Sequence, residues 1–204
     1  VGKVLLNDYG DSVYTKMKAY AASASDARMN GCELPVVIVS GSGNQGITAS
    51  VPVIVYAREL NFSEEELYRA LIVSDLVTIH LKKGIGRLSA FCGATSAGAG
   101  AGAGIAYLHT KDYVTVAHTI VNALGIISGM VCDGAKASCA AKIQSAIDAG
   151  VLGYNMYKMH QEFKDGDGLI EKGVENTIAN ISRLASHGMA QTDLEIIDMM
   201  IQKC

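Results

Sequence analysis

The sequence lacks most features of secreted, nucleic-acid-binding or membrane-bound proteins. It has no tryptophan, two prolines and only 6% aromatic residues among 204 positions. No run of basic residues is longer than the pair Lys82-Lys83, and the formal net charge is −3, which argues against nucleic acid and anionic membrane as partners. Its five cysteines are an odd number without dense spacing. A reducing, cytoplasmic setting is therefore favoured over a disulfide framework.

Common catalytic and cofactor motifs are also missing. The chain has no G-x-S-x-G, no H-E-x-x-H and no Walker A loop, so these hydrolase, zinc-protease and nucleotide sites are not indicated. Residues 164–171 (KDGDGLIE) lack the ligand spacing of an EF-hand and are interpreted as a polar surface loop. No basic leader followed by an apolar stretch is visible. Because the chain opens on Val1 in sequence typical of a domain interior, we expect it to be part of a longer protein.

The chain is rich in apolar residues, and many of them recur at helical spacing. Half the residues are hydrophobic and 18% are charged, which permits a large buried core. Two stretches without charged residues, 88–108 and 114–131, are interpreted as central buried helices rather than membrane spans, since the first consists mostly of small residues and the second contains polar ones. The prediction is one all-α, compact multi-helix domain over residues 1–204, with Gly/Ala-rich central helices. A minor short strand is expected near residues 35–40.

One helix has clear signals at both ends. Ser63 followed by Glu66 three residues later is a capping box, and an apolar stripe of helical period follows it. Lys82-Lys83-Gly84 ends the pattern with basic residues and a glycine cap. These signals predict a helix from Ser63 to about Gly84.

The cysteines near residue 135 are the first candidates for chemistry. Cys132 and Cys139 lie seven residues apart around an Asp-Gly turn signal, and Cys92 lies forty residues upstream. A helix beginning after Gly134 would direct Cys139 back toward the loop that holds Cys132. The residues before Gly150 are expected to mark the end of this helix. Three converging thiols can hold an iron–sulfur cluster. Spacing alone, however, favours three unrelated buried thiols, because it matches no compact cluster or zinc motif.

Residues 40–46 (SGSGNQG) follow a short apolar run and precede a helical segment. Glycines permit positive φ and close backbone approach, and such a loop before a helix presents N–H groups to an anion. The spacing fits neither a Walker A loop nor a dinucleotide fingerprint. A small carboxylate is the better ligand, and an ordinary tight turn is an equal alternative.

Taken together, several ordered motifs carry a resemblance to a known family. They lie at residues 21–29 (AASASDARM), 40–48 (SGSGNQGIT), 87–92 (RLSAFC), 128–135 (SGMVCDGA) and 185–193 (ASHGMAQTD). The chain resembles the L-cysteine desulfidase family, which is related to the α-chain of the iron–sulfur L-serine dehydratases. The similarity covers essentially all 204 residues and matches the C-terminal half of the family's longer members.

The resemblance implies a lyase with a [4Fe–4S] cluster and no pyridoxal phosphate. In such enzymes an open iron acts as Lewis acid on the β-thiol or β-hydroxyl, while a base removes the Cα proton. Elimination gives aminoacrylate, which hydrolyses to pyruvate and ammonia, with sulfide released from L-cysteine. L-Serine dehydration by the same mechanism and a non-catalytic helical partner domain are the alternatives.

Specific residues follow from the resemblance. The implied metal ligands are Cys92, Cys132 and Cys139. The implied substrate loop comprises Ser40, Gly41, Ser42, Gly43, Asn44, Gln45 and Gly46, and the supporting candidates are Asp26, Arg28, Lys136 and His187.

The implied base lies in the missing N-terminal half, so this chain is expected to be inactive alone. The expected partners are a small amino-acid substrate, the missing half or a partner chain, and a second copy in a homodimer. Cys204, at the end of the chain, is interpreted as a surface thiol, with a tail that occupies the open iron as the alternative.

Overall fold

A computed structural model describes residues 1–202 and folds them into nine α-helices. The all-α fold class predicted from the sequence is confirmed. A single π-helical turn, Leu184–Gly188, lies between the last two helices. The helices are α1 Gly2–Tyr9, α2 Val13–Met29, α3 Gly43–Glu59, α4 Glu64–Ile85, α5 Gly93–Thr110, α6 Tyr113–Ile127, α7 Cys139–Lys158, α8 Val174–Arg183 and α9 Ala190–Ile201.

No strand forms within residues 1–202, so the short strand expected near residues 35–40 is absent. The segment is extended, but its only β-type pairing is an isolated bridge between Val39 and Ser42. Pro35 has no N–H to donate to a ladder, and Leu34 and Val37 are exposed. Without a neighbouring strand the run stays unpaired.

Helix α5 lies at the centre and packs against α3, α4, α6 and α7. Nearly all of its residues are buried. Its glycines let the neighbouring backbone come close, because a Cβ at Gly98 would lie 2.2 Å from the Ala146 carbonyl oxygen. A Cβ at Gly102 would lie 2.4 Å from the Gly150 oxygen. Since the contacts advance together along both helices, α5 and α7 run parallel and begin at the same end of the helical bundle.

Helix α3 runs in the same direction beside α5. The Gln45 side chain contacts Gly93 near the start of both helices, and Val53 contacts Gly104 further along. Helices α3, α5 and α7 therefore have their N-termini at one end. This common end is where the backbone N–H groups of three first turns are directed.

Helix α4 is antiparallel to α5. Gly100 contacts Thr78. Gly104, which lies one turn later in α5, contacts Ala70, which lies earlier than Thr78 in α4. The last turns of α4 accordingly lie beside the first turns of α5. The capping box predicted at Ser63 and Glu66 is confirmed by both of its hydrogen bonds.

Three helix boundaries differ from the sequence predictions. Helix α4 continues beyond Gly84 to Ile85, and Gly86 caps it. Helix α7 begins at Cys139 rather than directly after Gly134, and it continues past Gly150, because that glycine packs against the Gly98 carbonyl instead of ending the helix. No helix within residues 1–202 combines the length and apolar content needed to cross a bilayer.

Candidate active site

A cavity of about 260 Å³ lies where the three parallel helices begin and α4 ends. Its walls include Ser42 and Gln45 from the start of α3, and Lys82 from the end of α4. Cys92 precedes α5, and Cys139 is the first residue of α7. The size is suited to a small ligand rather than a nucleotide.

The three predicted thiols, Cys92, Cys132 and Cys139, all line this cavity. Two backbone hydrogen bonds hold the first two together: Cys132 N donates to the Ala90 oxygen at 2.6 Å, and Cys92 N donates to the Met130 oxygen at 3.0 Å. These bonds fasten the loop before α7 to the segment before α5. The pairing of residues far apart in sequence is thus set by backbone contacts, which spacing could not reveal.

The Cys92 and Cys132 side chains form a coupled pair. A hydrogen bond from Cys92 lowers the pKa of Cys132 to about 6, aided by the Gly134 N–H and the charge of Lys142 against the opposing effect of burial. The same hydrogen bond and burial raise the pKa of Cys92 well above its ordinary value. The shared hydrogen bond therefore favours the thiolate at Cys132 over the thiolate at Cys92.

Cys139 is the first residue of α7 and also lines the cavity. Its Sγ lies 3.5 Å from the Lys136 N and 3.7 Å from the Gly134 oxygen, across the turn that precedes α7. Within residues 1–202, no three His, Cys, Asp or Glu side chains converge as the ligands of one metal ion would. Cys92 and Cys132 lie side by side, and the three thiols line one cavity without meeting at a single point.

The predicted substrate loop is the entry and first turn of α3. Gly41, Ser42, Asn44 and Gln45 line the cavity, and the Ser42 Oγ accepts a hydrogen bond from the Gln45 N at 3.4 Å. The Gln45 side chain is only 6% exposed, and its Oε1 has no partner among the described residues. A buried carbonyl oxygen without a partner is costly, so this atom is available for a ligand N–H.

The remaining residues of the loop shape it. Ser40 and Gly41 have positive φ, 50° and 86°, which turns the chain into α3. Gly46 is required by close approach, because a Cβ there would lie 1.9 Å from the Val37 oxygen. Gly43 lies against the Arg28 side chain. These residues hold the helix start in place without themselves lining the cavity, except Gly41.

Three cationic side chains line the cavity and were not predicted as site residues: Lys82, Arg87 and Lys142. Lys142 donates to the Val131 oxygen at 2.9 Å and pairs with Asp133. No carboxylate or imidazole lines the cavity within residues 1–202. The cavity therefore has a positive wall, to which the starts of three helices add.

Lys82 is the least expected of these residues. The sequence placed it in the last turn of a helix, where lysines are usually exposed. It is only 6% exposed, and burial lowers its pKa. One sequence signal could have indicated this burial. Lys82 follows Ser74 and Thr78 at intervals of four residues, so it lies on the same face of α4 as these two buried polar residues.

The supporting candidates are only partly brought together. Arg28 donates to the Asn44 Oδ1 at 3.1 Å and so orients a cavity residue. Asp26 does not line the cavity. Lys136 lies 3.7 Å from Asp133 outside the cavity wall, and His187 is exposed in the π-helical turn. Cys204 lies outside the residues that the structure describes.

Comparison with known proteins gives a consistent result. The family profile of the serine dehydratase alpha chain matches residues 1–198. A UPF0597 protein of Desulfitobacterium hafniense is 65% identical over the whole chain, which covers 47% of that protein. A UPF0597 protein of Finegoldia magna is 54% identical over the whole chain, which covers 48% of it. One from Fusobacterium nucleatum is 49% identical over 98% of the chain and 48% of its own length.

The chain thus spans about half the length of the curated relatives that it matches. No solved structure matches it.

Proposed function

The chain belongs to the serine dehydratase alpha chain family, and from this membership we propose that it is the cluster-binding and substrate-binding part of an iron–sulfur lyase. The proposed reaction is α,β-elimination of L-cysteine to pyruvate, ammonia and sulfide. The observation that supports it is the cavity in which three thiols face a cationic wall and the starts of three helices. L-Serine dehydration by the same chemistry is the second candidate, because the family description names serine.

The residues present fit a [4Fe–4S] cluster. In such a cluster each thiolate binds a different iron, so thiols placed around a cavity suit it better than thiols at one point. Cys92, Cys132 and Cys139 would hold three irons. When bound, the cluster supplies a Lewis-acidic iron for the leaving thiol or hydroxyl group. The lowered pKa of Cys132 favours the thiolate that metal binding requires, and Lys142 offsets its charge.

The loop of residues 40–46 would hold the α-amino acid. Its carboxylate would accept hydrogen bonds from backbone N–H groups at the start of α3, where the helix dipole favours an anion. The unpartnered Oε1 of Gln45 would accept a hydrogen bond from the substrate ammonium. Arg28 would keep Asn44 in place through the hydrogen bond that it donates. Ser40, Gly41, Ser42, Gly43 and Gly46 would shape the loop.

The base that removes the Cα proton would come from outside this chain. No carboxylate or imidazole of residues 1–202 lines the cavity, and the relatives are about twice as long. The chain would form one catalytic-type domain that is inactive until the remaining part, or a partner chain, supplies the base. A homodimer of this chain is a further proposed assembly. An exposed iron and free cysteines favour the reducing cytoplasm.

The test is product formation by the complete gene product after anaerobic reconstitution with iron and sulfide. Pyruvate is measured with L-cysteine and with L-serine under identical conditions, and sulfide is measured with L-cysteine. A higher kcat/KM for L-cysteine supports the proposal, and a higher value for L-serine assigns the second candidate. Loaded protein that releases pyruvate from neither amino acid would overturn the lyase function and leave a non-catalytic helical partner.

A further inference from the structure

Resting on the proposed function, we propose that Lys82 binds the carboxylate of the amino-acid substrate. Its side chain lines the cavity together with the start of α3 and the three thiols. Lys82 is a substrate-positioning residue in this proposal, and its ammonium forms the second half of a carboxylate site whose first half is the α3 helix start.

The burial of Lys82 is the first argument. Only 6% of the residue is exposed. No carboxylate of the described residues forms an ion pair with its ammonium, and the charges that reach it are those of the Cys132 and Cys92 thiols. Taking an unpaired ammonium out of water is strongly unfavourable, and lysine is almost never buried unless it is paired. A lysine kept in this state beside a cavity is explained by an anion that enters the cavity.

The second argument comes from the other cations of the cavity wall. Lys142 is already paired with Asp133 and donates to the Val131 oxygen. Arg87 is exposed, so water screens its charge. Among the described residues that line the cavity, Lys82 is thus the buried cation without a carboxylate partner.

The third argument is the combination of groups around the cavity. The ammonium of Lys82 and the N–H groups of α3 suit a carboxylate, and the unpartnered Gln45 Oε1 suits an ammonium. A carboxylate and an ammonium on neighbouring atoms are the features that all α-amino acids share. The thiols on the remaining wall then face the side chain at Cβ. This arrangement assigns Lys82 to substrate recognition and leaves the side-chain chemistry to the cluster.

The experiment measures binding of L-alanine, which has no leaving group at Cβ and so cannot be eliminated. Isothermal titration calorimetry is performed anaerobically on the complete gene product, with L-alaninamide as the probe in which a neutral amide replaces the carboxylate. The variants are Lys82→Met, which keeps length and apolar character, and Lys82→Arg, which keeps the charge. Lys83→Met is the matched control, because this neighbouring lysine is exposed.

Lys82→Met is expected to lose about ten- to hundred-fold in L-alanine affinity, the range of a charge-assisted hydrogen bond. L-Alaninamide binding should stay unchanged, Lys82→Arg should lie within a few-fold of wild type, and Lys83→Met should match wild type. The Tm of Lys82→Met should equal or exceed that of wild type, because a lone buried charge is removed. If Lys82→Met does not fold, Lys82→Gln replaces it in the same comparison.

Several results would overturn the proposal. Unchanged L-alanine affinity in Lys82→Met is the first. Equal losses for L-alanine and L-alaninamide would indicate a structural role. A loss of iron from Lys82→Met, measured in the same samples, would make Lys82 a counter-charge of the cluster instead. If wild type holds no iron but L-alanine binding still depends on Lys82, the lyase function fails while the carboxylate site stands.

Discussion

Replacing Gly98 by alanine tests how the small-residue helix places the thiols. In an isolated helix this change would stabilise the helix by about 1 kcal/mol, because glycine is a poorer helix former than alanine. In the protein the new Cβ would lie 2.2 Å from the Ala146 carbonyl oxygen and 2.8 Å from the Ala146 Cβ. The obstacle is the backbone of α7, which cannot rotate away as a flexible side chain could.

The magnitude follows from these opposing effects. Relieving the contact requires α5 and α7 to separate by roughly 1 Å, and overpacking of this kind costs about 1–3 kcal/mol, occasionally more. Because a backbone atom opposes the methyl group, we expect a cost of overpacking in the upper part of that range. This cost exceeds the gain in helix propensity. The net loss is about 2 kcal/mol, or a Tm lower by about 4–8 °C in a chain of this size.

The assay is thermal and urea unfolding of the Gly98→Ala variant followed by circular dichroism. Gly129→Ala is the control, because a Cβ there meets nothing within 4 Å and its stability should change by less than about 0.5 kcal/mol. A Gly98→Ala variant as stable as wild type, or more stable, would refute the reasoning. It would mean that the two helices are not held at the close distance that brings Cys92 and Cys139 to one cavity.

Three further predictions concern parts of the fold away from the thiols. Ser63→Ala should lower the free energy of unfolding in urea by about 1 kcal/mol, because the cap of α4 is lost. An unchanged midpoint of urea unfolding would contradict this prediction. Hydrogen bonds from Lys111 and Ser63 lower the pKa of Glu66 to about 2, whereas the unfolded carboxyl titrates at about 4.3. The stability advantage of wild type over Glu66→Gln should therefore be complete above pH 4.3 and disappear as the pH falls through about 2; a pH-independent difference in Tm would contradict it. Asn122→Ala should lower the free energy of unfolding by about 2–3 kcal/mol, because it removes a buried hydrogen bond to the Gly153 oxygen and leaves the Phe163 N–H without its acceptor. An unchanged midpoint in urea would contradict this.

The sequence predicted the helices best where local signals agree. Ser63 and Glu66 mark the start of α4 in any context, because their capping bonds are local. The alternation of glycine and alanine before Thr110 predicted a packed central helix, because such small residues let neighbouring backbones come close. The structure shows this close approach along α5. Gly150 was misread as a helix end, because a glycine that admits a neighbour and one that ends a helix are the same in sequence.

The site was predictable only as far as local patterns and the family resemblance reached. Cys92 and Cys132 meet through hydrogen bonds between Ala90, Met130 and the two cysteine N–H groups, which belong to the tertiary structure. The environment of Lys82 depends on the antiparallel packing of α4 on α5, which the spacing from Ser74 and Thr78 indicates only in part. Residues 35–40 were expected as a strand from apolar β-like composition, but pairing needs a partner strand that the fold does not supply.

The most direct test of the account is the iron and sulfide content of the complete gene product after anaerobic reconstitution, together with its cysteine variants. About four irons and four sulfides per chain are expected for wild type, with broad absorbance near ~400 nm. Cys92→Ser, Cys132→Ser and Cys139→Ser should each lose most of both, while Cys32→Ser, at an exposed cysteine outside the cavity, should keep both. Iron binding that is absent from wild type, or that survives all three cavity substitutions, would contradict the assignment of these thiols as the cluster ligands.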